Sequence, residues 1–175
     1  MAGLLFLAFA YFVVGASADQ RNGAQGAADA AALAAAREAR DQLVGDLLAE
    51  ELPKNWADLI LGRGNFDTFG PCGAAVDYAN KNGSDLAGRR CEAYFGEYWG
   101  FTVGVETQKT LGDSVIPGTA DEKGTAEATG VVVPKCLVSD AKLDCDGLGS
   151  LIDPSDLGSV PDLADLFTVR LIDPN

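Results

Sequence analysis

The sequence predicts an α+β protein: a long N-terminal α-helix with an apolar first third, carrying a small head of two short helices and about three antiparallel strands. Three features point there. The first 52 residues contain no proline and are dominated by alanine, apolar residues alternate with polar ones after Tyr98, and turn formers cluster between the alternating stretches. The division that follows is a membrane or filament-core helix over 1–52 and an extracytoplasmic head over 53–175.

The helix begins in "AGLLFLAFAYFVVGASA", Ala2 to Ala18, which carries no charge. Such a stretch is about 25 Å long as a helix, just short of a bilayer span and longer than most signal-peptide cores. Ala16-Ser17-Ala18 has the A-x-A form of a signal-peptidase site, so two readings compete. The opening Met1-Ala2-Gly3 lacks the Lys or Arg of a secretion signal, which favours retention of the segment. Leu4, Leu5, Phe6, Phe9, Phe12 and Val13 are then its membrane or filament-core residues.

Alanine, the strongest helix former, continues the helix to about Leu52, where Pro53 stops it. Gly23 and Gly26 are weak points, so a bend or loosening is expected over residues 22–26. Leu33, Val44, Leu47 and Leu48 fall on one side of the helical wheel and form the expected packing face. Gly23, Ala27, Ala31 and Ala35 repeat every fourth position, a spacing that lets helix backbones approach closely, and are expected at contacts between copies.

In the head, Trp56, Leu59, Ile60 and Leu61 predict a short helix ended by Gly62. Pro71 to Lys81 predicts another, closed by Asn82-Gly83, with Ala74, Ala75, Tyr78 and Ala79 as its packing face. Phe101, Val103 and Val105 alternate with Thr102, Gly104 and Glu106 in the first strand. "TAEATGVVVPKCLV" gives a second strand, and "LFTVRLID" a third, in which Phe167, Val169 and Leu171 alternate. Between the first two lies "LGDSVIPGTADEKG", a long exposed hairpin loop. An acidic loop over residues 139–165, broken by Pro154 and Pro161, precedes the third.

The four cysteines, Cys72, Cys91, Cys136 and Cys145, all follow the apolar segment, which reads as two disulfides formed in an oxidising compartment. Of the three possible connectivities, the sequence-adjacent pairs Cys72–Cys91 and Cys136–Cys145 are favoured. None of the spacings has the C-x-x-C form of a structural zinc site.

Thirteen Lys and Arg against 26 Asp and Glu give a net charge of −13, which argues against a nucleic-acid partner. The chain has no histidine, so the commonest general base and metal ligand is missing. No nucleophile elbow or phosphate loop is present. "KLDCDGLGSLID" places Asp144, Asp146, Gly147 and Asp153 at positions three, five, six and twelve of a calcium loop, but position one is Lys142. A solvated acidic loop is the preferred reading. No catalytic residue, cofactor or metal is therefore expected, and the chain reads as a non-enzyme.

The motif "RNGAQGAADAAALAAA", directly after an apolar helix, resembles the TadE/TadG-like proteins of tight-adherence (Flp-type) pilus systems. The match runs through Asn22, Ala24, Gln25, Ala27 to Leu33 and Ala34 to Ala36. A "YAxxNG" helix end, Tyr78 to Gly83, adds to it. The specific part covers about residues 3–40. The resemblance implies a pilin-like envelope protein: a minor pilin, a pseudopilin or an anchored assembly factor. One departure is Leu5, where pilin-like relatives carry a glutamate at the fifth mature position.

The leading expectation is thus a structural subunit of a pilus-like filament or its assembly complex. It inserts in the membrane before assembly, then packs against copies of itself or related subunits, with the strand loops outward. The alternatives are a monomeric membrane-tethered binding domain with the acidic loop as its contact surface, and a secreted binding protein or hydrolase released after Ala18.

Overall fold

The computed structural model describes residues 2–48, 54–62, 67–110, 121–139, 142–145, 152–153 and 162–173; the side chains of residues 2, 5–19 and 89 are outside that description. It is an α+β structure. Helix α1 runs without a break over Ala2–Leu47, roughly 70 Å at 1.5 Å per residue. The loosening expected at residues 22–26 does not occur. Gly23 and Gly26 are exposed, but Ala24, Ala27 and Ala28 beside them are buried, and that packing fixes the backbone around them. The helix ends five residues before the expected stop, and residues 49–53 lie outside the described set.

Helix α2 is Trp56–Ile60, and Gly62 follows at φ 74°, where a Cβ would collide with the Trp99 indole. Helix α3 is Phe69–Lys81, beginning two residues before Pro71 because Asp67 accepts from the Phe69 and Gly70 amides at 3.2 and 3.4 Å. Asn82 donates its side-chain amide to the Tyr78 carbonyl at 2.8 Å, and Gly83 turns the chain at φ 69°. Ala75 and Ala79 are buried as expected, but Tyr78 is exposed, with the Lys81 ammonium 4.6 Å from its ring centre.

Strands β1 (Ser84–Phe95), β2 (Trp99–Thr110) and β3 (Lys123–Pro134) form an antiparallel meander. β4 (Cys136–Ser139) and β5 (Lys142–Cys145) form a separate hairpin, and β6 (Phe167–Ile172) pairs antiparallel with β3, giving the order β1-β2-β3-β6. The three expected strands are thus present, and β1 and the hairpin are additional. Both disulfides join the sequence-adjacent pairs. Cys72–Cys91 fastens α3 to the edge strand β1, and Cys136–Cys145 closes the β4–β5 hairpin across an aligned pair.

One face of the sheet carries Phe101, Val103 and Val105, all fully buried, opposite Gly130, Ala128 and Ala126. The other face is polar: Thr102 and Thr129 hydroxyls bond at 2.8 Å, Lys123 pairs with Glu106 at 3.1 Å, and Arg90 with Glu127 at 3.7 Å. Helix α1 packs against both the apolar face and α3. Its alanines are buried over more than half the helix circumference, and the least covered line runs through Asn22, Gly26, Leu33, Arg37 and Leu48.

This arrangement bears on three expectations. Leu33, Val44, Leu47 and Leu48 are not one packing face: Leu47 is buried, Leu33 and Val44 are half-buried, and Leu48 is exposed. Alanine makes the core face from Ala24 to Ala39, where β3 and α3 lie close to α1, and Leu43 and Leu47 continue it toward the end of the helix. Ala27, Ala31 and Ala35 are not available for contacts between copies, since their own head covers them to 1% exposure or less. Finally, the core does not stop at the boundary between residues 52 and 53. Ala27 through Leu47 share one apolar cluster with Phe101, Val103, Val132, Leu143 and Phe167.

Candidate assembly surface

Helix α1 meets the head at Gln20. There the Gln20 side-chain amide donates to the Lys109 carbonyl at 3.1 Å, and a Cβ on Gly124 would lie 2.9 Å from the Gln20 carbonyl oxygen. Twelve residues further along the helix, Gly130 meets Ala32 in the same way. Strand β3 therefore runs alongside α1 in the same direction, about 20 Å of strand against about 18 Å of helix. Before Gln20 the helix continues through the uncharged stretch, with Leu4 75% exposed and open space around Gly3.

That alignment fixes which end of the head is which. Thr110, which precedes the expected long hairpin loop, and Lys123, near its end, pair with each other at the end where α1 enters. The loop residues 111–120 lie outside the described set, but their anchors face the N-terminal segment, not the far tip. The β1–β2 turn, Pro134 and the disulfide-closed β4–β5 hairpin stand at the opposite end.

Of the expected core-helix residues, Leu4 is exposed, and the side chains of Leu5, Phe6, Phe9, Phe12 and Val13 lie outside the described set. Gly23 is exposed with nothing within 4 Å of a built Cβ. It is the one member of the expected small-residue stripe left open. Among the described residues, no helix is long and apolar enough to cross a membrane, and the side chains of the apolar stretch are largely outside them.

Chemistry is sparse elsewhere. Among the described residues no group of three or more His, Cys, Asp or Glu is placed to hold a metal ion. Of the calcium-like string, Asp144 sits exposed on β5, while Asp146 and Gly147 lie outside the described set. A shallow notch of about 330 Å³ brings Asp29, Glu127 and Asp173 together, but Gln25 already occupies Asp29 at 2.8 Å.

A feature that periodicity did not mark is the outer side of α3. Phe69 is 88% exposed and Val76 40%. With Cys72, Gly73, Leu86 and Cys91 they border a groove of about 630 Å³ between α3 and β1. The available signal was Phe69 itself, an aromatic residue at the first position of a helix whose alanines face the other way.

Comparison with known proteins finds no match to a family model, to a curated protein or to a solved structure.

Proposed function

We propose that this chain is a structural, non-enzymatic subunit of a pilus-like surface filament or of its assembly complex, of the TadE/TadG-like, pilin-like kind. The N-terminal segment holds it in the membrane before assembly and packs against copies of itself or related subunits afterwards. The single observation that carries this reading is the division of labour within one 46-residue helix. From Ala24 onward the helix is the core of a head stapled by two disulfides, while its uncharged opening precedes Gln20, the first contact with the head among the described residues. An apolar helical segment that reaches out from its own head needs lipid or another protein chain around it. The two disulfides fit an extracytoplasmic location.

The test compares the full chain with a variant beginning at Gln20. After removal of detergent, the full chain should sediment as large assemblies visible by electron microscopy, and the shortened one as a folded monomer. A full chain that stays monomeric without detergent, at high concentration, would instead support the tethered or secreted binding domain.

A further inference from the structure

The groove between α3 and β1 has the form of a helix-docking surface. Phe69, Cys72, Gly73 and Val76 recur at spacings of three and four along α3, one continuous line that ends near Asn80 and is about 16 Å long. Gly73 has nothing within 4 Å of a built Cβ, so a second backbone can approach closely there. Phe69, at 88% exposure, stands at one end as an unpaired aromatic wall.

Resting on the reading above, we infer that this groove receives the uncharged N-terminal segment, residues 2–18, of a second copy of the chain. Two arguments select that occupant. The chain carries a net −13, so most surfaces of a second copy approach against like charge, whereas the first charged residue after Met1 is Asp19. The segment before it is therefore the part of a neighbour that can approach closely at no electrostatic cost, and it is helical and apolar. Length agrees too: about 25 Å of helix more than fills a groove of about 16 Å.

The chain's own segment cannot fill the groove. Gly70 abuts the Gln42 and Glu38 side chains, while Gln108, which bonds Asn80 and Asp85 at 3.4 and 3.0 Å, adjoins Lys109 at the Gln20 level. The groove thus lies within the stretch of α1 between about Gln20 and Gln42, and α1 runs unbroken away from it toward Ala2. A parallel copy displaced by about 30 Å along the helix axis places its residues 4–13 beside α3.

The test uses the full chain with the photo-crosslinking residue p-benzoylphenylalanine replacing Val76, assembled as an equal mixture of nitrogen-15-labelled and unlabelled protein. After irradiation, reduction and trypsin digestion, the expected product joins peptide 64–81 of one isotope to peptide 1–21 of the other. The same probe at Thr168, on the polar face of the sheet, should give no such product. Phe69→Ser, at an exposed position that leaves the core intact, should raise the concentration needed for assembly at least tenfold. Mixed-isotope links from 64–81 to any other peptide, or none in material that sediments as assemblies, would overturn this docking while leaving the filament reading in place. A chain that stays monomeric would overturn both.

Discussion

Gly130 of β3 lies directly on the backbone of Ala32: a Cβ built on it would sit 2.7 Å from the Ala32 carbonyl carbon and closer still to its oxygen. At this point the sheet is seated on the main chain of α1. Gly130→Ala should therefore destabilise the head by about 2–3 kcal/mol, since neither backbone can yield without disturbing the core. Gly45→Ala is the contrasting case. Gly45 is in the same helix, exposed, with nothing near a built Cβ, and the change should stabilise by about 0.5–1 kcal/mol. Urea denaturation of the chain beginning at Gln20 reads both.

Ala31→Leu separates packing within the chain from packing between chains. Ala31 is fully buried against its own head, so added methyl groups should cost about 3 kcal/mol in a dilute monomer, where no assembly occurs. Thermal melting of the chain starting at Gln20 measures it. Unchanged melting with impaired assembly would restore Ala31 to a contact between copies.

Residues 54–175 expressed alone should not fold. They keep the sheet and both disulfides but lose Ala27 through Leu47, which fill the space between α3 and the sheet. Near-ultraviolet circular dichroism and amide dispersion should show a collapsed, unstructured chain, whereas residues 20–175 should give a dispersed spectrum. A well-dispersed 54–175 fragment would mean that the helix is an addition to the head and not its core.

The two disulfides should open in order. Cys136 and Cys145 are 2% and 5% exposed, whereas Cys72 and Cys91 are half-buried, so mild reductant should open Cys72–Cys91 first. Alkylation with mass readout gives the sequence of events. Each bridge should contribute about 3 kcal/mol by closing loops of 9 and 19 residues in separation, with Cys72–Cys91 slightly the greater.

Much of this was legible in the sequence, because strong local signals were not opposed by tertiary context. Alanine propensity gave α1, the alternation through Phe101, Val103 and Val105 gave β2, and Asn82-Gly83 closed α3 where expected. Strand β1 was not legible. Its register slips between Leu86 and Cys91, with Gly88 at φ 56°, so "SDLAGRRCEAYF" shows no sustained period of two. The role of the alanine stripe was hidden for a different reason. An alanine that admits a neighbour's helix and one that admits its own sheet look the same in a sequence, and only Gly130 and Gly124, 90 or more residues away, reveal which surface came close. The α3 groove left only Phe69 as a clue, since a docking face with glycine and a disulfide in it carries little hydrophobic pattern.

The most direct test of the assembly reading is N-terminal sequencing with intact-mass measurement of the protein from the cell surface and from sheared supernatant. Retention of the apolar segment ahead of Asp19, in high-molecular-weight sheared material, is the expected result. A mature chain beginning at Asp19 and running as a soluble monomer would contradict it, because the part of α1 that reaches beyond the head would then be absent from the working protein.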